Sequence, residues 1–422
     1  MMLCCLQAAG ADVPATKTGQ PAKSSLKVRI GEPSVVAVAS RPEKWGFFQF
    51  PGIERWPDGT LAATWQMAAD SIVSYGVGAP STAISKDGGK TWMNPNGKEG
   101  VTGLLLPNGD RIKVITPKAI KTSELLLPAP ASEIASTNGK VKLALYRLAD
   151  LPPEVQGVCI SRLAKGSAEW VPERAALDDP QALRYSLHGL FPIVWWGDMH
   201  VARDGAIITG IYPGYRLFDN GGVDPKCGVF FYRSTDAGHS WKVQGRIPWQ
   251  PDLAANSKGV EPEDFTEPAF EILADGSFLC VIRSTGQRIS PMYSSHSRDM
   301  GRTWSRPVVM APNGVLPRLL RLANGVVVLA SGRPGVQLRF SANGRGETWT
   351  EPYELVPFTN QKNSVSCGYT SILAAGPDRF LIIYSDFKHK NAAGETRKAI
   401  KVREVVVTPE SARRLRAPKL EE

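Results

Sequence analysis

Four polar residues stand where chemistry could be done: Glu267 in EPAFEILADG, Arg283 in CVIRS, Tyr369 in CGYTSIL and Asp386 in IIYSD. Each sits at one end of a recurring hairpin unit, so segments far apart in the chain bring two acids, a cation and a phenol to one place. Convergence of that kind is what a polar ligand site requires. The same residues also suit a purely structural role. Glu267 and Tyr369 could satisfy one another as a buried pair, and an interior Arg283 needs a carboxylate neighbour, for which Asp386 is the candidate. Asp198 and His200 in WWGDMH could form an acid/base pair, including one for an inverting mechanism, although a histidine on an alternating strand also serves as core. Trp195 and Trp196 in the same stretch suit either core packing or, for Trp196, a surface on which a sugar stacks.

The elements that must position these residues are hairpins. Copies of the unit are PGIERWPDGTLAATW from Pro51, GDMHVARDGAIITGIY from Gly197, PAFEILADGSFLCVIR from Pro268, PRLLRLANGVVVLASGR from Pro317 and TSILAAGPDRFLIIYSD from Thr370. Asp-Gly and Asn-Gly favour the tight turn between two alternating apolar runs. In one shared register, Phe50, Trp196, Glu267, Leu316 and Tyr369 begin the innermost strands and point into one central funnel. Gln66, Tyr212, Arg283, Gly332 and Asp386 lie at the far ends.

A second repeat runs in phase. SKDGGKTW at Ser85 to Trp92, STDAGHSW at Ser234 to Trp241 and SRDMGRTW at Ser297 to Trp304 share S-x-D-x-G-x-x-W, with looser copies at Ser341 to Trp349 and Ser161 to Trp170. It resembles the Asp-box, or bacterial neuraminidase repeat, in which the Asp bonds turn backbone and the Trp packs between sheets. Asp87, Asp236 and Asp299 are therefore expected to be turn residues, not catalysts. Together the repeats predict an all-β fold, a six-bladed β-propeller with Asp-box repeats. Its blades lie near 48–100, 101–185, 190–250, 262–312, 314–357 and 366–407, the last closed by a strand from Leu26 to Ala39. Long inserts at Leu104 to Val141 and Asp178 to Trp195 are expected on a face of the disc.

Over roughly residues 45–405 the constellation resembles the exo-sialidase (neuraminidase) superfamily. The resemblance implies Tyr369 as nucleophile, Glu267 as its base and Arg283 and Arg333 (in SGRPG) as clamps on the sugar carboxylate. Asp386 falls at the acidic position that follows the family's tyrosine, and Asp70, the one acid in QMAADSIVSYG, is offered as acid/base. A neutral phenol suits a carbon that carries the sugar's own carboxylate, and arginine suits that carboxylate by paired, charge-assisted bonds. The chain departs from the family where Gln49-Phe50-Pro51 replaces Arg-Ile-Pro. Either Arg55 or Arg318 makes up the missing charge, or the substrate is not an ordinary sialoside. The activity implied is an exo-alpha-sialidase. The alternatives are a propeller glycosidase acting on another acidic sugar through Asp198 and His200, and a non-catalytic glycan-binding propeller.

A formal net charge of +10 favours anionic partners, sialylated or other acidic glycans among them. No nucleic-acid module motif is present, so nucleic acid is not expected as a partner. No apolar run is long enough to span a bilayer. The six cysteines form no CxxC pair, and neither a metal nor an organic cofactor is expected. Residues 1–22 read as a truncated export signal and linker, 23–410 as one propeller domain and 411–422 as a basic tail, with an exported location. Oligomeric state is not legible.

Overall fold

Four of the five inner hairpins close on an Asp-Gly or Asn-Gly turn, as their sequences require. In a computed structural model of the chain, describing residues 26–95, 102–135, 142–257, 264–285, 290–333, 335–357 and 365–410, Gly59, Gly205, Gly276 and Gly325 all adopt left-handed φ. The preceding Asp58, Asp204, Asp275 and Asn324 each accept a backbone N–H two residues on, from Thr60, Ala206, Ser277 and Val326. The side chain thus fixes the turn while glycine supplies the dihedral. The proposed signal segment and basic tail lie outside the described residues.

The result is an all-β chain of successive groups of antiparallel strands, two of which are joined by a parallel pairing of Trp170–Asp178 with Ser240–Ile247. Phe47–Arg55 pairs with Leu61–Met67 and then Ser81–Ser85. Leu104–Leu105, Arg111–Val114, Val158–Leu163 and Trp170–Asp178 form the next group. The remaining groups begin at Trp196–Val201, Phe265–Ile272, Val315–Arg321 and Thr370–Gly376. In the group from Thr370, the N-terminal strand Leu26–Ile30 completes the sheet by pairing with Thr396–Pro409, as the sequence led us to expect.

Apolar clusters join one group to the next. The groups from Trp196 and Leu104 share a core, as do those from Trp196 and Phe265, Phe265 and Val315, Val315 and Thr370, and Thr370 and Phe47. The Asp-box tryptophans sit at these seams. Trp304 stacks on Phe231 of the preceding group at 4.3 Å, and Trp92 donates to Ser34 across the junction of the first and last groups. Asp87, Asp236 and Asp299 are turn residues as expected: Asp299 accepts the amide and hydroxyl of Thr303 and the hydroxyl of Ser297. The Ser161 to Trp170 copy lacks the Asp. There Asp110 of a neighbouring turn caps Lys165 instead, and Lys113 lies over the Trp170 ring.

The inserts depart from expectation in part. Leu104–Val114 belongs to a sheet, not to a surface insert, because its Asn108-Gly109 turn is another hairpin. The insertion proper adds Ser132–Ala135, Lys142–Arg147 and Ala182–Ser186, which extend the sheet edge of Ile207–Leu217. No helix among the described residues is long and apolar enough to cross a membrane.

Candidate functional site

Three of the hairpins share a bulge, and the bulge aims the side chains. Phe50, Glu267 and Leu316 each precede a proline, each has positive φ (52°, 46° and 38°), and each sits at a register shift in its hairpin. Left-handed backbone at a non-glycine residue costs about 1–3 kcal/mol, so packing elsewhere holds these three in place. The five residues expected to begin inner strands, Phe50, Trp196, Glu267, Leu316 and Tyr369, all line one cavity of about 680 Å³. Gln66, Asp70, Tyr75, Tyr212 and Arg318 line it too.

At its centre Tyr369 donates its hydroxyl to Oε1 of Glu267 in a short hydrogen bond. Arg283 Nη1 donates to the same Oε1 at 2.7 Å and to the Tyr369 oxygen at 3.2 Å. The Leu316 amide donates to Oε2 at 2.8 Å, so the bulge that exposes Leu316 also holds the carboxylate. Burial pushes the Glu267 carboxyl up, but the Arg283 charge, the Tyr369 hydroxyl and the Leu316 amide outweigh it and hold Glu267 below its ordinary value. Burial, with the Glu267 charge beside it, pushes the Tyr369 phenol far above its ordinary value. The proton therefore rests on Tyr369 with an ionised acceptor in contact, and Arg283 is placed to stabilise charge on either oxygen.

Asp70 reaches the same cavity from a loop. Gly46, at φ 96°, lies so close to that loop that a Cβ would meet Ala68 O at 2.3 Å, and this approach lets Trp45 Nε1 bond Asp70 Oδ2 at 2.9 Å. One wall is aromatic. Trp196 is held edge to face by Tyr75 at 5.3 Å, and its indole N–H is tied to Thr116 Oγ1 at 3.1 Å. Burial, then the Asp70 charge, pushes Tyr75 up to about 12. Arg333 places its guanidinium over the rings of Tyr369 and Trp45 at 5.2 and 5.5 Å, with Nε on Cys367 O.

Two expectations change. Asp386 is not the partner of Arg283; Glu267 is. Asp386 instead pairs with Lys401 at 2.6 Å and caps Lys388, because the bulge after it turns the strand away. Asp198 and His200 form no acid/base pair: Asp198 bonds Arg318 Nη1 at 2.8 Å, and His200 packs edgewise on Phe270 at 4.6 Å. Gln49 is fully buried, and its carboxamide has no partner among the described residues. Arg55 is spent on the Gly59 carbonyl, whereas Arg318 stands in the cavity wall. Strand alternation does not carry the signal for Arg318, because the register shift between Val315 and Arg318 interrupts it; only the missing charge at position 49 pointed to it. Trp45, Tyr75 and Thr116 come from loops and carry no such periodic signal. No group of His, Cys, Asp and Glu suited to a metal occurs among the described residues.

No family model matches the chain, and no match was found among curated proteins. Among solved structures, a protein of unknown function from Dyadobacter fermentans superposes with a TM-score of 0.56 at 17% identity, over 90% of this chain and 99% of that one. A Penicillium chrysogenum alpha-L-arabinanase gives 0.45 at 16%, over 89% and 98%. A Trypanosoma rangeli sialidase gives 0.43 at 14%, over 89% of this chain and 58% of its own. The first shares the fold; the other two superpositions are too loose to bear on activity.

Proposed function

We propose that the chain is a glycoside hydrolase built as a closed six-bladed β-propeller over residues 23–410, with Tyr369 as nucleophile. The observation that carries the reading is the Tyr369 hydroxyl shared with Glu267 Oε1, which Arg283 also binds. Tyr369 Oη attacks the anomeric carbon while Glu267 takes the phenolic proton and Asp70 protonates the departing oxygen. Water then cleaves the glycosyl–tyrosine bond, giving its proton to Asp70, and Glu267 returns the first proton to the phenolate. Sugar and alcohol leave, and each group regains its starting state.

The sugar this reading names is a terminal sialic acid, so the activity is that of an exo-alpha-sialidase. A neutral nucleophile, with Arg283 and Arg333 beside it, suits an anomeric carbon bearing a carboxylate. A second reading, hydrolysis of another sugar, is favoured by the uncharged Gln49. Export from the cytoplasm is part of the proposal and rests on the N-terminal sequence.

The test is sugar release from sialyllactose, sialylated mucin glycans and a panel of aryl glycosides by the wild type, Tyr369→Phe and Glu267→Gln. Release that both variants lose is the expected result. Cleavage of nothing in the panel, or full activity in Tyr369→Phe, would sink the reading.

A further inference from the structure

We propose that Arg318 is the specificity-determining cation of this site, supplying to the substrate carboxylate the charge that position 49 lacks. The inference rests on the hydrolase reading above and names a residue that the resemblance does not carry over. Gln49 contributes no charge, and its amide is closed off from solvent. Arg283 is engaged by both reacting oxygens, those of Glu267 and Tyr369. Arg333 places its guanidinium over two rings, 5.2 and 5.5 Å from their centres, and is not among the residues lining the cavity.

Arg318 differs from both. It lines the cavity beside Glu267, Leu316 and Tyr369, and its side chain is 31% exposed against 20% for Arg283. Its Nε donates to Thr370 O at 3.3 Å and its Nη1 to Asp198 at 2.8 Å. Two positions of the planar group are thus fixed, one to the backbone next to the nucleophile. Nη2 makes no hydrogen bond to the described residues. A guanidinium anchored along one edge presents the other without loss of rotamer freedom, which is how arginine holds a carboxylate in defined geometry. Asp198 on this account is not an acid catalyst but the group that orients Arg318.

The experiment compares an aryl α-sialoside with its carboxyl methyl ester, two substrates alike except in charge. Arg318→Met is expected to raise KM for the free acid by about tenfold or more, with kcat little changed and the ester unaffected. Asp198→Asn keeps the cation but weakens its anchor, so KM for the acid should rise by less than in Arg318→Met, with the ester again unaffected. A purely structural pair would make the two variants lose alike on both substrates, and that result overturns the inference. So does Tyr369-dependent cleavage confined to uncharged glycosides, which would leave the hydrolase reading standing. If the wild type cleaves no glycoside at all, the reading itself falls and this inference with it.

Discussion

Replacing Glu267 by glutamine keeps the side chain's shape and removes its charge, which leaves Arg283 without a counter-ion. The Glu267 side chain is 6% exposed and that of Arg283 20%, so the pair is largely desolvated. Removing one partner of such a pair costs about 3–5 kcal/mol, and the partial exposure of Arg283 places the expected loss near 3 kcal/mol. The same change removes the acceptor of the Tyr369 proton, so kcat/KM should fall by roughly 10²–10⁴. Because the folded Glu267 carboxyl lies below its ordinary value of 4.5, the stability it contributes is complete above the unfolded value and is lost as pH falls through the folded one. Urea unfolding of wild type and Glu267→Gln should therefore differ most near neutrality and converge in acid. The double variant with Arg283→Met should lose less than the sum of the single changes, since each alone strands a charge. Equal stability of wild type and Glu267→Gln at neutral pH, or additive losses in the cycle, would refute the coupling that the site rests on.

Four other outcomes follow from the same structure. Gln49→Met should stabilise the protein by about 1 kcal/mol in chemical denaturation, because it removes a buried amide with no partner. Burial raises the Asp299 carboxyl, but the Thr303 and Ser297 bonds together outweigh it and hold Asp299 at about 2, so Asp299→Ala should lower stability above pH 4 and match wild type in strong acid, with kcat/KM unchanged. Burial, only partly offset by Lys226 and the Cys227 amide, pushes Asp264 up to about 7. The wild type thus loses stability as pH rises from the unfolded value to 7, and Asp264→Asn should escape that loss in unfolding measured across the range. Trp45→Phe removes the hydrogen bond on Asp70 and should lower kcat roughly tenfold with little change in KM.

What was legible in the chain was whatever repeated. The turn glycines and the Asp-box side chains announced the strands, and a shared register picked out Glu267, Tyr369 and the other strand-starting residues that now line one cavity. The far ends of the hairpins were less legible. Arg283 reaches the centre because its strand runs straight, whereas a bulge between Asp386 and His389 turns Asp386 toward Lys401. Period-two reasoning has no means of foreseeing an extra residue in a strand. Asp198 was found but misassigned, since its partner Arg318 is 120 positions away on another hairpin. The loop residues around Asp70 obey no period at all; only the left-handed Gly46 pressed against Ala68 explains how Trp45 reaches it.

The strand Leu26–Ile30 pairs residue for residue with the last described strand, Leu26 opposite Pro409 and Ile30 opposite Val405. Tyr369 belongs to that same sheet. During synthesis Leu26–Ile30 must therefore wait, unpaired, until the strand Thr396–Pro409 has emerged, and a strand edge held open that long invites capture by other chains. Tyr369 is the last of the residues lining the cavity to be synthesised, so a nascent chain stalled before it carries Glu267 and Arg283 but not the hydroxyl that they bind.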